Sequence, residues 1–502
     1  MEATVFFNTP QHSYLYDATN KAFMHAHPLW KPFKALEDQE VSAEDWEERI
    51  RDSFPLLYEQ HQVDFPYYKK KFLFLKEQGF FQKLPLKRAI SELGSEQVDR
   101  ALDDIHQMVF EVTNRCNLSC KYCGYGELYS NYDVREGVDL NAAKGKKVLD
   151  YFIERWKLRP PRSYKREMYI SFYGGEPLLN MPFIKETVAY VEQHFPKEIN
   201  YQFSMTSNCV LLQKNMDYLA EKNFHLLISL DGNEEAQSYR VNHAGINSFA
   251  TIIPQIKALK ENYPDYFRES VQFNAVIHNR NTVEGVLDFV KREFDKTPRI
   301  SELNDSGINP EKVDEFFKTF QNIAVSLEKS KHRERTEQTY FIELPKVRGL
   351  GIFTTRFTDN YVRTFDEFFI STNCERLYSP GTCIPFSKKI FVTSTGKVYP
   401  CERIGEDHPL GSVDEVNGLQ IDRESIVAFY NTFLSKIITL CNRCYRLASC
   451  SSCMYYFKDI EHPTCEDFLN RNGFEQYLSD YMQLLENEPH LQARIREEIT
   501  FS

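Results

Sequence analysis

The chain has 502 residues, too many for one ordinary core, and its length favours about three domains. With 42% apolar and 26% charged residues it has the make-up of a folded protein rather than a disordered one. A net charge of −11 argues against a surface built to coat nucleic acid, and no apolar run approaches the roughly 18 residues that span a membrane.

The opening stretch Met1–Phe7 lacks the basic start and apolar run of a secretory signal, so a cytoplasmic location is expected. In that reducing compartment the 12 cysteines point to metal ligands or catalytic groups rather than disulfides. Residues 1–104 hold none of them. There Val5–Phe7, Ser13–Tyr16 and Ala22–His27, with a turn at Asp17–Asn20, predict a small antiparallel sheet. A charged stretch, Glu37–Arg51, and a helical run, Tyr67–Lys76, follow; the run stops near Gly79.

From 105 to 300, strand-like runs alternate with helical ones, the pattern of an α/β domain with a parallel sheet. The predicted strands are Met108–Val112, Met168–Phe172, Tyr201–Met205, His225–Leu230 and Val271–Ile277. The predicted helices are Ala142–Trp156, Phe183–His194, Gln213–Glu221, Phe249–Lys260 and Val283–Phe294. Just after the first strand, Cys116, Cys120 and Cys123 give the spacing C-x3-C-x2-C. Three thiolates cannot close a four-iron cluster, which takes four, so one iron would be left for a ligand that is not protein. A zinc loop or three core thiols is the plainer alternative. Further motifs fall at strand ends: Tyr173-Gly174-Gly175-Glu176-Pro177, Thr206-Ser207-Asn208-Cys209, and Ser229-Leu230-Asp231-Gly232 with Arg240 beyond. Paired glycines permit close backbone approach, and an arginine fork suits a carboxylate. Cys209 reads as an inert buried thiol.

Residues 301–372 carry no motif; Pro310–Lys331 is helical in pattern, and the segment reads as a helical bridge over the preceding domain. Then Cys374, Cys383, Gly396 and Cys401 are followed by Cys441-x2-Cys444-x5-Cys450-x2-Cys453-x11-Cys465. Eight thiolates suffice for two four-iron clusters, while C-x2-C pairs also suit zinc. The tail 471–502 has helical apolar spacing in Phe474, Tyr477, Leu478, Tyr481, Met482 and Leu485, and packing against the cysteine-rich domain is expected. No phosphate-binding or dinucleotide-binding glycine fingerprint occurs.

The three-cysteine loop and the strand-end motifs that follow it, in this order, resemble the radical S-adenosylmethionine (SAM) family. The resemblance implies a partial (β/α)6 barrel over 105–300 in which a 4Fe-4S cluster reduces SAM to a 5'-deoxyadenosyl radical. It assigns Tyr122 to the cofactor loop, Gly174, Gly175 and Glu176 to the SAM amino group, Thr206 and Asn208 to the strand-end polar element, Ser229 to the ribose, and Arg240 to the SAM carboxylate. Residues 373–470 resemble the SPASM domain of peptide-modifying relatives, departing from its pattern at Cys450-x2-Cys453, where three residues are usual. By that correspondence Cys374, Cys383, Cys401 and Cys453 would hold one auxiliary cluster and Cys441, Cys444, Cys450 and Cys465 a second, making three 4Fe-4S clusters in all. Residues 1–104 resemble the winged-helix-like leader-recognition domain of ribosomal peptide (RiPP) maturases, which implies a precursor peptide held by its leader as an added strand.

Taken together, the resemblance implies a peptide maturase that installs a crosslink, a thioether first, as in ranthipeptide and sactipeptide synthases. Carbon–carbon or carbon–oxygen crosslinking is the second expectation, and formylglycine formation in a protein substrate the third. An external donor of flavodoxin or ferredoxin type would supply electrons. A non-catalytic iron–sulfur protein that binds peptides or transfers electrons is the alternative of another class. No general base is assigned.

Overall fold

The N-terminal alternation of apolar and polar residues forms β1 (Thr4–Asn8), β2 (Ser13–Asp17) and β3 (Ala22–His25), an antiparallel meander in that order. In the computed structural model, which describes residues 2–83, 90, 92–132, 134–159, 167–358, 381–457 and 459–498, both faces of this sheet are covered. Leu15 packs with Trp30, Phe33, Trp46, Phe65 and Phe72 from three short helices (Trp30–Asp38, Trp46–Ser53 and Phe65–Glu77), and a fourth (Pro55–His61) adds the partly buried Leu57 and Tyr58. Val5, Phe7, Tyr14 and Tyr16, pointing the other way, pack with Phe353, Phe357 and Phe474. The buried Asp17 ties the unit together, accepting hydrogen bonds from Thr4 Oγ1 (2.6 Å) and from the amides of Thr19 (3.1 Å), Asn20 (3.0 Å) and Phe81 (3.2 Å).

The tail helix Arg471–Asn487 lies elsewhere than its apolar spacing suggested. Its main partner is the N-terminal sheet: Phe474 meets Tyr16 at 6.0 Å and Phe357 at 5.6 Å, and Ser479 Oγ donates to the Asn8 carbonyl at 2.7 Å. Glu486 accepts from Thr9 Oγ1 (2.8 Å) and Tyr14 Oη (2.7 Å). The cysteine-rich domain contributes Tyr445, stacked on Phe474 at 5.4 Å. Spacing fixes which stripe of a helix is buried but not which surface receives it.

Six consecutive parallel strands form the centre: β4 (Gln107–Thr113), β5 (Glu167–Gly174), β6 (Asn200–Ser207), β7 (His225–Ser229), β8 (Val271–Val276) and β9 (Arg299–Ser301). All five strands read from the sequence are present, each with its crossover helix between it and the next. The sixth, of three residues with one buried, is too short to show a period. Met108, Phe110, Ile170, Phe172, Phe203 and Ile228 face the helices and build the main core. The opposite face is polar and bonded within itself: Gln107 Nε2 donates to Ser171 Oγ at 2.6 Å, and Ser171 and Ser204 share a 2.6 Å hydrogen bond.

The cysteine-rich part is continuous with this sheet. Strand β10 (Lys389–Val392) pairs in parallel with β4, Ile390 opposite Met108, and β11 (Lys397–Tyr399), β12 (Gly411–Asp414) and β13 (Gly418–Gln420) extend it to ten strands. Gly396, in the turn between β10 and β11, has φ +93°, and a Cβ there would stand 2.5 Å from the Val413 carbonyl, so the turn accepts only glycine.

The single helix expected over Pro310–Lys331 is broken into Val313–Thr319 and Ile323–Glu328, because Asn322 Oδ1 accepts the Ala324 amide at 2.8 Å and caps a fresh start. The bridges Tyr129–Ile308 and His278–Phe320 join this segment to the cysteine loop's continuation and to the end of β8. Cys374 lies outside the described residues. Among the described residues no helix is long and apolar enough to cross a membrane.

Candidate active site at the strand ends

Strand β4 ends at Thr113 and leads directly into the cysteine loop. The loop is held from both sides: Gly175 N donates to Thr113 O and Glu176 N to Arg115 O, each at 2.9 Å, while Ser119 N donates to Val241 O (2.7 Å) and Lys121 N to Tyr239 O (3.1 Å). This clamp explains the paired glycines. A Cβ on Gly175 would stand 1.9 Å from Arg115 O, and one on Gly174, at φ +129°, would stand 2.2 Å from Thr113 O.

Cys116, Cys120 and Cys123 are partly buried and act on one another electrostatically. Burial pushes the Cys120 thiol up to about 12, with Arg240 opposing it, and burial likewise raises Cys116. Asn208 Nδ2 lies 3.7 Å from Cys116 Sγ and 2.7 Å from Asn117 Oδ1. Among the described residues only His27, His61 and Asp64 bring three metal-ligating atoms within 4.8 Å of one another. The cysteine sets offer thiols alone, a donor chemistry that fits an iron–sulfur group and also zinc.

The Glu176 carboxylate accepts hydrogen bonds from Leu178 N (3.1 Å), Ser207 Oγ (2.8 Å) and Asn208 N (2.8 Å). It is buried, and burial raises it to about 7 against the pull of those bonds. Through these three bonds the side chain, expected as an ammonium acceptor, also braces the ends of β5 and β6.

Arg240, expected to meet a carboxylate of SAM, meets one of the protein's own. Its Nε and Nη2 reach the two oxygens of Asp231 at 3.0 Å each, both residues being buried. Tyr122 Oη also donates to Asp231, Val276 N donates at 2.9 Å, and His278 Nε2 lies 3.7 Å away. Burial acts to raise Asp231, but Arg240 and these hydrogen bonds hold it at about 2. Through Tyr122 this network fastens the cysteine loop to the ends of β7 and β8. Thr206 and Ser229 sit partly exposed on the polar face near the ends of β6 and β7. Cys209, at φ +63°, is fully buried, and burial raises its thiol.

Cys441, Cys444, Cys450 and Cys465 line one cavity together with Leu447 and Phe468. Cys383 neighbours Cys453. In a cluster of tyrosines where the Tyr125 and Tyr132 rings lie 5.0 Å apart, burial pushes the Tyr132 phenol up to about 12, and Tyr456, Glu406, Cys123 and Cys401 add to it.

Asp231, which pairs with Arg240 and Tyr122, and its neighbour His278 were given no site role from the sequence; His278 left no signal there, since its partners lie far along the chain.

A family model described as the radical SAM superfamily matches residues 110–292. A radical SAM cyclopropyl synthase from Paramaledivibacter caminithermalis is 22% identical over 70% of this chain and 67% of its own length. A cysteine-type anaerobic sulfatase-maturating enzyme from Clostridium novyi is 22% identical over 75% of this chain and 96% of its own. A solved structure of anSMEcpe with bound AdoMet superposes with a TM-score of 0.50 and 16% identity, covering 79% of this chain and 96% of that one.

Proposed function

We propose, from the premise that this chain is a radical SAM superfamily enzyme with its catalytic domain at residues 110–292, that it modifies a peptide by installing a crosslink, a thioether in the first place. The observation that supports this reading is that Cys123 of the first cysteine set and Cys401 of the C-terminal set both act on the same buried phenol, that of Tyr132.

Cys116, Cys120 and Cys123 would hold a 4Fe-4S cluster. Tyr122, Gly174, Gly175, Glu176, Thr206, Asn208 and Ser229, with Arg240 through the nitrogen outside its Asp231 pair, would hold SAM. Cys383, Cys401 and Cys453, with Cys374, would hold one auxiliary cluster, and Cys441, Cys444, Cys450 and Cys465 the other. When bound, these groups supply one-electron chemistry that ends in removal of hydrogen from a substrate carbon. The chain's own part is to fix the loop through Gly175 and Tyr122, and to keep water out with Tyr125, Tyr132 and Tyr173.

A leader would be held at β3. Ala26 N donates to Ser13 O, so by the antiparallel alternation Met24 and Ala22 bond inward to β2, and Phe23 and His25 turn their backbone groups to the outer edge. An external flavodoxin or ferredoxin would deliver electrons. The cyclopropyl synthase relative favours a second reading, carbon–carbon bond formation, and the sulfatase-maturating relative keeps formylglycine formation as a third.

Anaerobic reduction with SAM and the peptide encoded by a short reading frame beside the gene tests the proposal. The expected result is 5'-deoxyadenosine together with a peptide lighter by two hydrogens. A thiol count lowered by one identifies the thioether; with an unchanged count, an aldehyde-reactive probe separates formylglycine from a carbon–carbon or carbon–oxygen crosslink, which fragmentation mass spectrometry then tells apart. An unmodified peptide, or 5'-deoxyadenosine that persists when Cys116, Cys120 and Cys123 are replaced by alanine, defeats it.

A further inference from the structure

Near the tyrosine cluster, three buried polar atoms find no hydrogen-bond partner: Glu111 Oε1, Asn131 Oδ1 and Arg135 Nε. Withdrawing such atoms from water is costly, so each calls for something that completes it. Glu111 is the most constrained. It is 3% exposed, and its Oε2 accepts from Ser394 N (2.8 Å) and Ser394 Oγ (2.9 Å) in the turn between β10 and β11. The pairing of β10 with β4 thus fixes how the carboxylate is turned, and Gly174, lacking a side chain, leaves it room. The surroundings belong to the site. The Tyr125 phenol is raised by burial and then by Glu111, Tyr173 and Glu406, and the Arg135 guanidinium lies 3.6 Å from the centre of the Tyr125 ring.

We infer that Glu111 anchors the reacting residue of the peptide, its Oε1 accepting a hydrogen bond from an N–H or O–H of that residue while Arg135 faces the adjacent carbonyl. This rests on the peptide-modifying function proposed above. Glu111 supplies the acceptor, and Ser394 is the positioning residue that turns it.

Glu111→Gln is a sharp probe. Both Ser394 groups donate, so the amide oxygen must face them, and the NH2 then replaces Oε1, turning an acceptor into a donor. The measurement is deuterium carried into 5'-deoxyadenosine from the uniformly deuterated peptide of the neighbouring reading frame, per 5'-deoxyadenosine formed. E111Q is expected to lower that ratio at least about tenfold, the scale of one charge-assisted hydrogen bond. Ser394→Ala, which frees the carboxylate without removing it, is expected to lower it less and to raise the KM for peptide. A wild-type ratio and KM in E111Q overturns the inference alone. Loss of bound iron in both variants also overturns it, making Glu111 a strut of the sheet. No transfer by the wild-type enzyme overturns the peptide reading and this inference with it.

Discussion

Arg240 and Asp231 form a buried, two-pronged ion pair directly beneath the cysteine loop, 3.0 Å at each contact, and Tyr122 of that loop donates its hydroxyl to the same carboxylate. The loop is therefore positioned by a charge pair nine residues apart in sequence, Asp231 standing just past the end of β7 and accepting from Val276 N at the end of β8.

Removing one partner of this pair should be far worse than removing both. Asp231→Asn leaves the Arg240 charge buried and is expected to cost about 3–5 kcal/mol, whereas Asp231→Leu combined with Arg240→Met should recover at least about half of that loss. Anaerobic denaturant titration of the single and double variants measures the coupling. Equal losses in both would place the stability elsewhere.

Gly175→Ala is expected to displace the loop, because the new methyl group would collide with Arg115 O, a backbone atom that cannot swing aside. On the proposed assignment of clusters, the variant should retain the iron of the C-terminal cysteines and lose that of Cys116, Cys120 and Cys123, about four irons per chain, together with SAM cleavage. Iron analysis and 5'-deoxyadenosine assays read both.

Glu176 predicts a pH dependence of stability. Its folded pKa of about 7 lies above the ordinary 4.5, so the folded state favours the protonated form. The contribution is present in full below about pH 4.5 and is lost as pH rises through 7. The change is on the order of 3 kcal/mol at 1.36 kcal/mol per unit. Glu176→Gln should flatten this segment of the stability–pH curve relative to wild type, as followed by thermal unfolding between pH 5 and 8. Parallel curves would show that the carboxylate is already ionised at no cost.

His25→Pro removes an amide that faces the outer edge of β3 while sparing the bonds to β2. Binding of the labelled precursor peptide, followed by fluorescence anisotropy, is expected to weaken at least about tenfold, the loss of one or two backbone hydrogen bonds. Circular dichroism should be unchanged. Undiminished binding would move the leader to another surface.

Phe474→Ala should loosen the N-terminal sheet from the rest of the chain. This side chain is 1% exposed and touches Tyr16, Phe357 and Tyr445, so a cost of about 3–5 kcal/mol is expected. Limited proteolysis should then release the N-terminal region faster than in the wild type.

How much was legible in the sequence follows from the range of each interaction. The strands β4 to β8 and the crossover helices were readable because apolar periodicity is local, and the cysteine loop because its ligands must be neighbours. The glycines of the Gly174-Gly175 pair were visible as a motif, but the tertiary structure assigns them to a clamp on Arg115 and Thr113. Sequence likewise proposed ligand roles for Glu176 and Arg240. Folding gave each a protein partner first, since a buried charge must be answered by whatever donors or countercharges the fold brings near. The joining of β10 to β4, the seating of Phe474 on the N-terminal sheet, and the turning of Glu111 by Ser394 all link residues hundreds of positions apart. The sequence by itself determined the strands, the cysteine spacing and the class of chemistry those thiols suit. Only the tertiary structure decided which polar groups are satisfied within the protein and which, like Glu111 Oε1, are not, because satisfaction depends on contacts that no local pattern encodes.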